Sequence, residues 1–104
     1  MKVNLTYQDV FVISSALSDL FTEKMGGKTA ALLFKFSRQF KDFVEDYNKG
    51  IELIKNEDEV EYKKQVTLFN NSPYIEVEKI ELSDLEELNL APLTLVKLEK
   101  VLVF

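Results

Sequence analysis

The sequence predicts an α+β fold that is mostly α-helical: an antiparallel helical hairpin, further short helices and a small two-stranded β-ribbon, in a single domain over residues 1–104. Three observations predict it. Apolar residues recur at spacings of three and four along residues 7–55, the period of amphipathic helices. Two short stretches, "KVNLT" and "YIEVEKIEL", alternate apolar with polar residues instead. Met25-Gly26-Gly27 and Asn70-Asn71-Ser72-Pro73 are strong breaks between periodic segments.

In "KVNLT", Val3 and Leu5 share one side and Asn4 takes the other, as in a half-buried strand. Thr6, with Asp9 three residues on, reads as the start of a helix over about Tyr7 to Lys24, close to a capping box. Val10, Ile13, Leu17, Leu20 and Phe21 share its apolar face. Phe11, Val12 and Ala16 widen that face beyond the usual stripe of a surface helix, so cover on more than one side is expected. Gly26 and Gly27 are expected to end the helix in the left-handed conformation that glycine accepts. Lys28 and Thr29 then open a second helix, with the Thr29 hydroxyl as a cap. This helix is expected to run to about Lys55, on a seam of Leu33, Phe36, Phe40, Phe43, Tyr47 and Ile54 in which Gly50 fills a gap. Ala30, Leu32, Phe34, Val44 and Ile51 broaden the seam. The short Gly-Gly connection makes the two helices antiparallel neighbours.

A third helix follows, capped by Asn56 or Asp58, with early acids that suit the positive end of its dipole. Val60, Val66 and Phe69 are its inward residues, with Tyr62 partly so. In "YIEVEKIEL", Ile75 and Val77 face one way and Glu76 and Glu78 the other. The phase slips at Lys79, which implies a bulge or the end of the strand. This strand is the mate expected for the N-terminal one, since a lone strand leaves its backbone unpaired. Ser83-Asp84-Leu85-Glu86 reads as a capping box for a short turn. Pro92 suits the first position of a last helix, with Leu93, Val96, Leu98 and Val101 along it. The terminal "VLVF" either packs on the core or offers a sticky end to a partner.

Composition narrows the function. There is no Cys and no His, and Arg38 is the one Arg beside twelve Lys. These absences remove thiolate chemistry, the commonest metal ligand and most bidentate anion clamps. The N-terminus lacks a long apolar segment of the signal-peptide kind, and no apolar run approaches a membrane span. Residues 1–55 hold eight bases and seven acids, and residues 56–104 hold five and eleven, which together give the net charge of -5. An acidic second half argues against direct nucleic-acid binding, which wants a basic face.

The most conspicuous motif is Gly27-Lys28-Thr29, the last three residues of a phosphate-binding loop. The full motif needs a glycine five positions before Gly27, where Thr22 stands, and a strand ahead of the loop, where an amphipathic helix stands. The residues are better used as helix punctuation. The acids Glu57, Asp58, Glu59 and Glu61 lack the alternating ligands and central glycine of a calcium loop and read as a solvated helix start. The stripe of Phe36, Phe40, Phe43 and Tyr47 has the spacing of a core rather than of a base-stacking platform, and Phe34 falls off it. No catalytic, cofactor-binding or metal-binding residue is assigned.

The order of elements resembles a group of small bacteriophage and prophage proteins of unassigned function. Lys28-Thr29-Ala30, Phe69-Asn70, Glu76-Val77-Glu78, Ser83 to Leu90 and Leu95 to Leu98 carry the resemblance. It implies a phage setting, in the cytoplasm of a bacterial host or on the virion, and transfers no catalytic residue. The expected role is a non-enzymatic accessory protein that binds a protein partner or itself, as a homo-oligomer, through Phe11, Phe34, Val101, Val103 and Phe104. No membrane, direct nucleic-acid or small-molecule partner is expected. The alternative is an acidic inhibitor that uses Glu76, Glu78, Glu86 and Glu87 to block a basic, nucleic-acid-binding surface of a host protein.

Overall fold

A computed structural model describes residues 1–55 and 58–104. Asn56 and Glu57, one candidate cap and one of the clustered acids, lie outside the described residues. The chain runs β1 (Lys2–Thr6), α1 (Tyr7–Leu20), α2 (Gly27–Ser37), α3 (Phe43–Glu52), α4 (Glu59–Asn70), β2 (Pro73–Glu78), β3 (Ile80–Glu81), α5 (Pro92–Leu98) and β4 (Leu102–Val103), with 3-10 turns at Arg38–Phe40, Leu82–Leu85 and Glu99–Val101. The mostly helical α+β fold is as expected from the sequence.

β1 and β2 pair antiparallel, with Val3 opposite Val77 and Leu5 opposite Ile75. Their inward residues meet the core and Asn4, Glu76 and Glu78 face solvent, because successive side chains of a strand alternate. The slip at Lys79 is the end of this strand. Beyond it Ile80–Glu81 finds a second mate, pairing in parallel with Leu102–Val103. The sequence pointed to one ribbon; the structure has two, joined through Lys79, whose amide donates to the Met1 carbonyl.

The capping box of α1 forms as expected. The Asp9 amide donates to Thr6 Oγ1 at 3.1 Å and the Thr6 amide donates to Asp9 Oδ2 at 3.0 Å. Val10, Ile13, Ala16, Leu17 and Leu20 are buried, but Phe11 stands 62% exposed. The helix stops at Leu20 rather than Lys24, and the Thr22 hydroxyl donates to the Asp19 carbonyl at 2.7 Å across its end. The glycines do not end it. Gly26 is instead the N-cap of α2, with φ -69° and ψ 161°, and no described residue has positive φ. Thr29, expected as a cap, is buried inside the first turn of α2.

The expected long second helix is broken in two. Ser37 Oγ donates to the Phe34 carbonyl and Gln39 Nε2 to the Phe36 carbonyl, so side chains occupy acceptors near the break. The tightened turn at Arg38–Phe40 keeps Phe36 and Phe40 in edge-to-face contact, with ring centres 5.4 Å apart, while the chain changes direction. Leu33, Phe36, Phe40 and Phe43 of the expected seam are all buried.

Asp58 caps α4, its carboxylate accepting from the Val60 amide at 2.9 Å. Val60 itself is exposed, against expectation, and α4 contributes no residue to the buried core. Glu81, not Ser83, precedes the turn at Leu82–Leu85, and no side-chain cap forms there. Pro92 opens α5 as expected, yet Leu93 and Val96 face outward. They lie three residues apart on one face, whereas Leu95 and Leu98 turn toward the core from the other.

The molecule is elongated, 51 Å by 25 Å by 22 Å, with a radius of gyration of 15.7 Å. A compact chain of this length has a radius near 13 Å. The α3–α4 end adds only Phe43 to the core and is fastened to the body chiefly by partly buried aromatic rings.

Candidate interaction surface

Where α1 ends and α2 begins, the chain forms an apolar groove of about 570 Å³ lined by Phe21, Met25, Ala30, Ala31 and Phe34, with Glu23 at its edge. α2 turns Leu33 and Phe36 into the core. Ala31 and Phe34, three residues apart on the adjoining face, are therefore left outside. Phe34 is 60% exposed and Phe21, the C-cap of α1, 47% exposed. The Arg38 guanidinium lies 5.8 Å from the Phe34 ring centre, a cation–π contact that fixes one wall of the groove.

Two further clefts, each lined in part by charged residues, flank the other side of α2. One, of about 220 Å³, places Lys28 and Thr29 opposite Asp84, Glu86 and Glu87. The next places Lys35 opposite Glu78, Glu81 and Asp84. Residues 27–41 carry Lys28, Lys35, Arg38 and Lys41 and no acid. The acids of residues 78–87 thus share clefts with the basic helix of the first half. Glu87 goes further and accepts the Gly26 amide at 2.9 Å. On the β1–β2 ribbon, Glu76 pairs with Lys2 at 3.8 Å and Glu78 with the Met1 amine at 3.4 Å. Such exposed pairs contribute little individually.

A third feature could not be read along the chain. Tyr7, Phe43, Tyr47, Phe69 and Tyr74, from α1, α3, α4 and β2, form one aromatic cluster; Tyr7 sits 4.3 Å from Phe69 and 4.6 Å from Tyr74, centre to centre. The Tyr47 hydroxyl donates to Asn70 Oδ1 at 2.8 Å and the Tyr74 hydroxyl to Asp46 Oδ2 at 2.7 Å. Burial, then the hydrogen bond to the Asp46 carboxylate, pushes the Tyr74 phenol well above its ordinary value. Helical spacing placed Phe43 and Tyr47 on one face, but nothing local tied them to Tyr7 or Tyr74.

Of the residues singled out in the sequence, the groove takes Phe34. Phe11 is exposed elsewhere, on α1. Val101 is fully buried, which corrects its assignment to an exposed interaction surface: α5 carries the C-terminal segment back onto the core, and Leu102 is buried beside it. Val103 is half-buried in β4 and Phe104 is 75% exposed; together they line a separate shallow cleft with Glu81, Leu82 and Glu86. The sequence missed Phe21 and Met25 as groove residues, because Phe21 shares the helical phase of the core and only the early end of α1 turns it out.

No family model, curated protein or solved structure matches this chain at a significant level. Among the described residues, no helix is long and apolar enough to cross a membrane.

Proposed function

We propose that the chain is a non-enzymatic accessory protein of a phage or prophage that works by binding protein, another copy or a partner, at the groove between α1 and α2. It acts in the cytoplasm of the bacterial host or on the virion. The phage setting rests on the resemblance carried by Lys28-Thr29-Ala30, Glu76-Val77-Glu78 and Ser83 to Leu90. The mode of action rests on one observation. Phe34 and Phe21 stand exposed around one groove floored by Met25, Ala30 and Ala31, while Phe36, Phe40 and Phe43 of the same chain are buried. Grouped apolar side chains on a surface commonly mark a contact site. Glu87 is taken up within the chain by the Gly26 amide, which makes the acidic surface the weaker choice for the contact.

The test is site-specific photo-cross-linking in a bacterial host. A photoreactive phenylalanine analogue in place of Phe34 is expected to give a covalent protein adduct. The same analogue in place of Lys64, exposed on α4, is expected to give none. Loss of any adduct at position 34 overturns the reading.

A further inference from the structure

We propose that the occupant of the groove is the groove of a second copy, in a two-fold pair whose α2 helices run antiparallel; the inference rests on the groove being the contact surface. A two-fold contact uses the same patch on both chains, so the patch must complement itself. This one does. Glu23 lies at its edge in the turn that leads into α2, and Arg38 is the C-cap of the same helix, stacked on Phe34. Glu23 precedes the first residue of α2 and Arg38 follows the last, and the eleven helical residues between them span about 16 Å. An antiparallel apposition sets Glu23 of each chain against Arg38 of the other. Ala30 and Ala31, between them, permit close approach of the two backbones, and the exposed rings of Phe21 and Phe34 fill the space on either side.

Long-range charge points to the same face. Copies of a chain with net charge -5 repel one another. α2 carries no acid, whereas β2 and the 78–87 segment together carry six of the chain's eighteen. Lys28 and Lys35, the α2 cations that could repel their counterparts, line the clefts that also hold Asp84, Glu86, Glu87, Glu78 and Glu81. One helix-on-helix contact falls below the roughly 1,200 Å² of a stable interface, so the pair is expected to be weak and concentration-dependent.

Sedimentation velocity of the purified full chain, from micromolar to millimolar concentration, tests it. The mass is expected to move from one chain to two. Glu23→Arg and Arg38→Glu are each expected to weaken association about tenfold, and the two together to recover most of it, because the swap restores the pairing with its sign reversed. Circular dichroism and the urea midpoint check that each variant folds, Glu23 being half-buried and Arg38 exposed. A chain that stays monomeric throughout, or a double variant no better than the singles, overturns the proposal. A monomer that still gives the position-34 adduct with a different protein overturns the second copy alone. A monomer without that adduct overturns the interaction surface as well.

Discussion

The Glu87 carboxylate accepts a hydrogen bond from the Gly26 amide, 2.9 Å away in space and 61 residues away in sequence. Gly26 is the N-cap of α2, so the positive end of that helix, which has no acid of its own in its first turn, receives one from across the fold. In a phosphate-binding loop, the amides ahead of Gly-Lys-Thr face a nucleotide. Here an internal carboxylate takes the amide just ahead of that triplet. A Cβ on Gly26 would come within 3.2 Å of Glu87 Oε2, which is why a residue without a side chain suits the position.

Replacing Glu87 by Ala is therefore expected to lower stability by about 1 kcal/mol, the usual contribution of a helix cap. Glu87→Gln, which keeps an acceptor and loses the charge, is expected to lose less. Urea midpoints at constant slope measure both. A midpoint unchanged in the Ala variant would show that the contact contributes nothing.

Gly50 gives a prediction whose sign differs between sequence and structure. In a helix interior, Gly→Ala ordinarily stabilises by about 1 kcal/mol. A Cβ on Gly50 would overlap the Phe69 ring, and that ring is held by Tyr7 at 4.3 Å and Tyr47 at 5.5 Å. Gly50→Ala is expected to destabilise by roughly 1–3 kcal/mol, the cost of overpacking. Adding Phe69→Leu is expected to recover part of the loss, and thermal unfolding of the two variants compares them directly.

Asp9 joins the two ends of the chain. Its carboxylate takes the Thr6 amide and pairs with Lys100 at 2.8 Å. Burial alone pushes this carboxyl up, but the hydrogen bonds from Lys100 and from the Thr6 backbone and hydroxyl outweigh it and hold the group below its ordinary value of 3.8. As pH falls, the unfolded chain takes up this proton before the folded one. The stabilisation is thus complete above 3.8 and disappears as pH drops through the folded value. Asp9→Asn is expected to be less stable than the native chain by about 1 kcal/mol at neutral pH, a gap that closes in acid. Urea titrations across the acid range measure the gap; one that stays constant would exclude the ionised carboxylate as its source.

Local features were legible wherever a few neighbouring residues settle the outcome. The Thr6–Asp9 box, the Asp58 cap, Pro92 at a helix start and the alternation of Ile75 and Val77 all stand as the sequence indicates, since each depends on hydrogen bonds or steric fit within a few residues. Periodicity likewise placed Leu33, Phe36, Phe40 and Phe43 in the core. It could not place the break after Ser37, because the seam continues in phase on both sides of it. Nor could it tell that Val101 is buried and Phe21 exposed, because both are apolar at core spacing and only the path of the chain separates them.

The sequence by itself determined the mostly helical α+β class, the pairing of β1 with β2 and the charge split between the halves, because these follow from spacing, local hydrogen bonds and composition. Tertiary structure decided what the charges and rings are for. It folded the acidic segment onto the basic α2, put Glu87 on the Gly26 amide and drew Tyr7, Phe43, Tyr47, Phe69 and Tyr74 into one cluster. It also left Phe21 and Phe34 outside, on either side of one groove. These contacts join residues tens of positions apart, and no local preference along a chain encodes which distant partner a side chain will meet.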